Sequence, residues 1–198
     1  AFQLFPTNPV YYFFNGISNS QLKNYKKAII SLEMGLEFVI ENQPLLVQFY
    51  STLADIYHSI DKHNKSDSLY DLALTLEPDN VQVLNNYSYY LSLRNENLEK
   101  AIEMSKKSNE LSPDNASFQD TYAWILYQQK EYELAKIWLI KAYENGGELS
   151  PVITEHLGDV YFKLGDSSSA LLYWQKAKNL GKGSKYLEQK IVEKTLYE

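Results

Sequence analysis

An all-α fold, a stack of about five helix–turn–helix hairpins closed by a C-terminal cap helix, is predicted by three features of the sequence. Ala28, Ser66, Ala101, Ala135 and Ala170 stand 38, 35, 34 and 35 residues apart in matching surroundings. Three columns of this recurring unit hold only small residues, and a fourth holds proline. A period of about 34 residues marks an array in which each unit is one helical hairpin that buries its apolar face against its neighbours.

The small columns carry the most weight. The first holds Gly16, Ala54, Ser88, Ala123 and Gly158; the second holds the five residues named above; the third holds Gly35, Ala73, Ser108, Ala142 and Ala177. Gly, Ala and Ser make up only 37 of the 198 residues, so their occupation of all fifteen positions is not a composition effect. Small side chains let two helices approach closely, and larger neighbours such as Leu53, Tyr57 and Tyr70 then fill the flanking grooves. An ordinary bundle with scattered alanines would need no fixed period.

Taken in order, residues 1–8 read as the remnant of a preceding repeat, with Ala1 in the third small column and Pro6 in the proline column. The solenoid covers residues 9–183, with repeats at about 9–46, 47–80, 81–115, 116–150 and 151–183. Pro6, Pro44, Pro78 and Pro113 each end one hairpin and begin the next, because proline cannot continue a helix. Asp or Asn in Glu77-Pro78-Asp79-Asn80 and Ser112-Pro113-Asp114-Asn115 can cap the helix that follows. Gly146-Gly147 takes this place in the fourth repeat. The first repeat carries about four extra residues, which predicts a lengthened second helix over 25–41. The third carries one extra residue, placed in the turn Arg94-Asn95-Glu96-Asn97. Gly181 and Gly183 break the last hairpin, and Ser184 is expected to cap a final helix within 184–198 that runs to about Tyr197. Leu187 and Ile191 share one face of it, and Glu188, Lys190, Glu193 and Lys194 supply the polar remainder expected of a solvating cap.

The second repeat reads Tyr50-x2-Leu53-Ala54-x2-Tyr57, Ser66-x3-Tyr70-x2-Ala73 and Pro78; the fifth reads Leu157-Gly158-x2-Tyr161 and Ala170-x3-Trp174-x2-Ala177. These segments resemble the tetratricopeptide repeat, and the resemblance extends over nearly the whole chain. It implies a right-handed superhelical solenoid whose first helices line a concave face. The runs Asn85–Leu91 and Asp120–Leu126 also resemble C-terminal arrays of Bacteroidetes-type bacterial proteins, many of them exported, which implies a periplasmic or outer-membrane-associated setting, with cytoplasm as the alternative.

Composition narrows the function. A net charge of −6 argues against a nucleic-acid surface, which needs a basic stripe. No apolar run reaches the length of a membrane span. With no cysteine, disulfides, thiolate nucleophiles and cysteine-bound zinc are excluded. Aromatic content of 14 %, mainly 17 Tyr, suits helix packing with one polar tip.

No catalytic constellation emerges. His58, Asp61 and His63 are near in sequence, but the histidines do not share a helix face and no fourth ligand accompanies them, so they read as solvated loop residues rather than a metal site. His156 and Asp159, beside Glu155, lack a nucleophile or oxyanion donor. Gly181-Lys182-Gly183-Ser184 lacks the upstream glycine and strand of a phosphate loop. The chain therefore reads as non-enzymatic, with no cofactor and no metal.

By resemblance, the concave groove receives Asp55 and His58 from the second repeat, Asn85, Asn86 and Tyr89 from the third, Asp120, Trp124 and Tyr127 from the fourth, and Glu155, Asp159 and Phe162 from the fifth, with His156 and Lys163 among them. Amides can hold a peptide backbone and aromatics can form anchor pockets, so the expected ligand is a peptide or protein segment, neutral to basic, with an apolar anchor near Trp124. Trp124, Tyr89 and Phe162 could equally pack only between neighbouring helices. The leading function is a protein-interaction scaffold. The alternatives are an assembly element of an envelope complex and an accessory domain of an enzyme encoded upstream. Phe2, Leu4 and Phe5 at the N-terminal end suggest a homodimer contact created where upstream repeats are missing.

Overall fold

The computed structural model describes residues 6–197. Among these, the chain forms eleven α-helices, one turn of 3₁₀ helix and no strand, which is the all-α hairpin class the sequence predicts. Residues 1–5 of the expected remnant, with Ala1, Phe2, Leu4 and Phe5, lie outside the described residues. The chain divides into two compact units, Ala1–Val83 and Leu84–Glu198.

The first unit holds α1 (Pro9–Gln21), α2 (Tyr25–Leu36), α3 (Gln43–Ser59) and α4 (His63–Leu76). Its core is Ala28, Leu32, Phe49, Leu53, Ile56 and Tyr57, with Phe13, Leu36 and Val39 packed around them. Gly16 is required there by close approach: a Cβ at that position would lie 2.4 Å from Leu32 Cγ. The Tyr57 hydroxyl donates to Glu33 Oε1 at 2.9 Å. Burial, reinforced by that acceptor, pushes its pKa up to about 12.

α5 (Val81–Arg94) begins in the first unit and enters the second, which continues with α6 (Leu98–Leu111), α7 (Ala116–Gln128), α8 (Tyr132–Glu144), the 3₁₀ turn Gly147–Leu149, α9 (Pro151–Lys163), α10 (Ser167–Leu180) and α11 (Leu187–Glu193). Leu126, Leu139, Ile153, Leu157 and Val160 centre one cluster around Ala123, Ala135 and Ala142. Ala170, Trp174, Ala177 and Leu187 form another. All fifteen small-column residues are buried.

The same end signals recur along the chain. Asn8, Asn42, Asn80, Asn115 and Ser150 each accept a hydrogen bond from a backbone N–H in the first turn of α1, α3, α5, α7 and α9. Each of these helices ends at a residue in the left-handed region, seven positions after the first small column: Lys23, Asp61, Asn95, Lys130 and Gly165. The next N–H reaches back five residues, as Glu131 N does to Leu126 O at 2.9 Å, while Lys130 N donates to Tyr127 O at 2.9 Å. This pair of bonds is the Schellman closure, which satisfies carbonyls left open at a helix end. The extra residue of the third repeat falls in this turn, where Asn97 is also left-handed.

Three local expectations are corrected. α2 stops at Leu36 rather than extending to Glu41, because Leu36 and Val39 both turn into the core and the surplus becomes a connector ending at left-handed Glu41. Pro44 lies in the first turn of α3 rather than in the connector, since the first helical N–H groups need no partner there. The cap helix is α11 alone, ending at Glu193, and Ser184 does not cap it: the Ser184 hydroxyl accepts from Tyr186 N and donates to Glu155.

Candidate functional site

In the second unit, α5, α7 and α9 and the segment after α10 enclose a cavity of about 530 Å³. Tyr89 and Leu93 come from α5, Trp124 and Gln128 from α7, and Val152, Glu155, His156 and Asp159 from α9. Gly183, Ser184, Lys185, Tyr186, Lys190 and Tyr197 close the remaining side. Leu93 and Val152 are exposed apolar side chains at this site.

Its wall is an aromatic stack. The Trp124 indole lies parallel to Tyr127 at 4.7 Å between ring centres and to His156 at 4.2 Å. The Trp124 N–H is buried with no hydrogen-bond partner. His156 Nδ1 lies 2.8 Å from Asp120 Oδ1, and the hydrogen belongs to the imidazole because an ionised carboxylate only accepts. Burial pulls the His156 pKa down, but the charge and hydrogen bond of Asp120, with help from Asp159 and Glu155, outweigh it and raise the pKa above its ordinary value. Burial, with the Asp120 charge, also raises Tyr89.

At the opposite wall, Lys190 of α11 is 3 % exposed, and its ammonium donates to Glu155 Oε1 at 2.9 Å and to Asp159 Oδ1 and Oδ2 at 2.7 and 2.8 Å. The Trp174 indole N–H donates to Asp159 Oδ1 at 2.8 Å. Ser184 N donates to Glu155 Oε2 at 2.7 Å. Burial pushes Glu155 up, yet the Ser184 and Lys190 bonds outweigh it and hold the carboxyl below its ordinary value. For Asp159 burial wins over Lys190 and pushes it up to about 6.

Of the residues named from the sequence, Tyr89, Trp124, Glu155 and Asp159 line one cavity, and Asp120 and Tyr127 stand directly behind its aromatic wall. Asn85 and Asn86 lie one turn earlier on α5; Asn85 Nδ2 is 3.4 Å from Asn86 Oδ1. Phe162 packs instead against Trp174 at 5.6 Å. Asp55 and His58 belong to the first unit, where Asp55 accepts from the Tyr70 hydroxyl and the His58 ring lies 5.2 Å from that of His63.

Lys190 is the residue that sequence reasoning misplaced. Its position among Glu188, Glu193 and Lys194 points to a solvated face, whereas the structure buries it against two carboxylates. Only the acidic pair at Glu155 and Asp159, one helical turn apart in an otherwise buried stretch, signals that a cation must come from elsewhere.

A family model described as tetratricopeptide repeat matches residues 47–80. No curated protein matches the chain significantly by sequence. Among solved structures, PilW, described as a widely conserved type IV pilus biogenesis factor, is similar at 18 % identity and TM-score 0.80 over 94 % of this chain and 85 % of its own. PilF of Pseudomonas aeruginosa is similar at 20 % identity and TM-score 0.77 over 91 % of this chain and 79 % of its own. A thermophilic tetratricopeptide repeat protein of Thermus thermophilus is similar at 17 % identity and TM-score 0.76 over 94 % of this chain and 98 % of its own. Likeness at this level of identity establishes the fold. Among the described residues, no helix is long and apolar enough to cross a membrane.

Proposed function

We propose, for a chain that belongs to the tetratricopeptide repeat family and is accordingly a scaffold for protein–protein contact, that the second unit binds a peptide segment in the cavity between α5, α7 and α9 and does no chemistry on it. The observation that carries this reading is the Trp124 wall. Stacking on Tyr127 and on His156 holds the indole rigidly, and its buried, unpartnered N–H costs free energy until an acceptor reaches it. A peptide carbonyl supplies that acceptor, and an apolar side chain fits against Trp124, Leu93 and Val152. Large rigid aromatics with a polar edge are the residues that dominate binding energy at such sites. The expectation of a neutral to basic peptide rests on the acidic side chains Asp120, Glu155 and Asp159 that α7 and α9 contribute.

Display of a random peptide library on the intact chain tests this. Enrichment of neutral to basic sequences with one apolar anchor, lost on Trp124→Ala, supports the reading. Enrichment of acidic C-terminal peptides overturns it.

A second reading, an assembly element, is favoured by Leu134 and Ile137 of α8 and Leu172 of α10, which are apolar and exposed. Type IV pilus biogenesis, in which PilW is a factor, is an example of such a setting. Sedimentation of the chain over a range of concentrations tests its self-association, and a monomer throughout rules that form of it out.

A further inference from the structure

We propose that the cavity between α5, α7 and α9 selects an uncharged, proline-rich segment in the extended polyproline II conformation. The proposal rests on the groove reading above and names the chemistry of its ligand.

The wall is short of uncommitted acceptors and holds a donor in reserve. Its carboxylates already receive donors from the chain: Lys190 and Ser184 serve Glu155, Lys190 and Trp174 serve Asp159, and His156 serves Asp120 behind the stack. The Trp124 indole N–H is left over, the one buried polar side-chain atom of the described lining without a partner. The Lys185 ammonium, 4.6 Å from the Tyr186 ring centre, also donates only. The side-chain acceptors not committed to the chain are the Gln128 amide oxygen and tyrosine hydroxyls, and these groups donate as readily as they accept. An ordinary peptide brings an N–H at every residue, and each one buried here needs an acceptor. Proline brings the carbonyl that the indole lacks and no N–H.

Spacing and charge agree with this ligand. Tyr89 and Trp124 directly follow Ser88 and Ala123 of the first small column, so they hold the same place on successive first helices, and both line the cavity. Helices packed side by side stand roughly 8–10 Å apart. Polyproline II turns once in three residues, an advance of about 9 Å. Prolines three apart therefore meet the two aromatic positions in step, and their apolar rings pack against aromatic side chains. The conformation is also preformed, so little chain entropy is lost on docking. Lys185, Lys190 and the charged form of His156 balance Asp120, Glu155 and Asp159, which places the ligand at the neutral end of the range given above.

The probe is a fluorescent peptide of ten prolines, added to the intact chain and to the chain carrying Trp124→Phe, which keeps an aromatic ring and removes the indole N–H. A second peptide of equal length alternates proline with alanine and so restores N–H groups. Fluorescence anisotropy is expected to show the alternating peptide binding the intact chain at least tenfold more weakly than the ten-proline peptide. The W124F chain is expected to bind the ten-proline peptide at least tenfold more weakly than the intact chain. In the NMR spectrum, the indole N–H resonance missing from W124F is expected to move downfield as the ten-proline peptide saturates the intact chain, while that of Trp174, already bonded to Asp159, holds. No binding of the ten-proline peptide, equal affinity for the two peptides, undiminished binding by W124F, or an unmoved Trp124 resonance overturns the proposal. If proline-free peptides selected from the library bind and depend on Trp124 while the ten-proline peptide does not bind, the groove reading stands and the proline assignment alone falls. If neither binds, both fall.

Discussion

His156 Nδ1 donates to Asp120 Oδ1 across 2.8 Å while the same imidazole stacks on Trp124, so one side chain ties α9 to α7 by charge and by ring contact. The two residues are 36 positions apart. Asp120, Asp159 and Glu155 all act on this imidazole, with Lys190 beyond the latter two.

That arrangement makes stability depend on pH in a stated direction. The folded His156 holds its proton more tightly than the unfolded chain, whose histidine titrates near the ordinary 6.5. Its stabilisation is full below 6.5 and is lost as pH rises through the higher folded value. Asp159, raised to about 6, adds a loss between its ordinary 3.8 and about 6. Glu155, held low, acts oppositely, and its contribution disappears only as pH falls through its folded value below 4.5. Above 6.5, therefore, His156 governs. The melting temperature of the intact chain should fall between pH 6.5 and 9, and His156→Gln should flatten that slope. A variant with an unchanged slope would remove His156 as the cause.

Trp124→Ala should weaken binding of library-selected peptides by about 2 kcal/mol or more, roughly thirtyfold, as expected for a central aromatic anchor. Titration calorimetry measures it. Gln128→Ala, at the same cavity, should have a much smaller effect. Equal losses would mean that the indole is not the anchor.

Gly158 lies where a Cβ would stand 2.5 Å from Trp174 Cδ1 and 3.1 Å from the Ala170 carbonyl oxygen. Gly158→Ala should cost about 1–3 kcal/mol despite alanine's better helix propensity, because the α9–α10 contact is forced apart. Ala135→Leu should cost a similar ~1–3 kcal/mol at the fully buried α7–α8 contact. Urea denaturation reads both, and an unchanged midpoint would show that the column yields.

Lys130 closes α7 at φ 65°, a conformation that strains any side chain carrying a Cβ. Lys130→Gly should stabilise the second unit by about 1 kcal/mol, since glycine already occupies the matching place at Gly165. Differential scanning calorimetry would register the gain. A loss would mean that the lysine side chain makes a contact worth more than the strain.

Much of this protein is written in its sequence because the same local requirement recurs. A close helix contact accepts only Gly, Ala or Ser, so the columns of Ala54, Ala135 and Gly158 reveal the hairpins without coordinates. Asn80 and Asn115 mark helix starts for an equally local reason: their side chains reach N–H groups two or three residues ahead. Tyr89, Trp124, Glu155 and Asp159, which the register of the repeat places on one side of successive hairpins, line one cavity. What the tertiary structure alone decided involves pairs with no fixed spacing. Lys190 meets Glu155 and Asp159 across 35 and 31 residues, and His156 meets Trp124 from another helix. A lysine on a short amphipathic helix suits a solvated face or a buried ion pair equally by local pattern. Which it becomes depends on the carboxylates waiting on the helix beneath, and no periodicity within the segment itself records them.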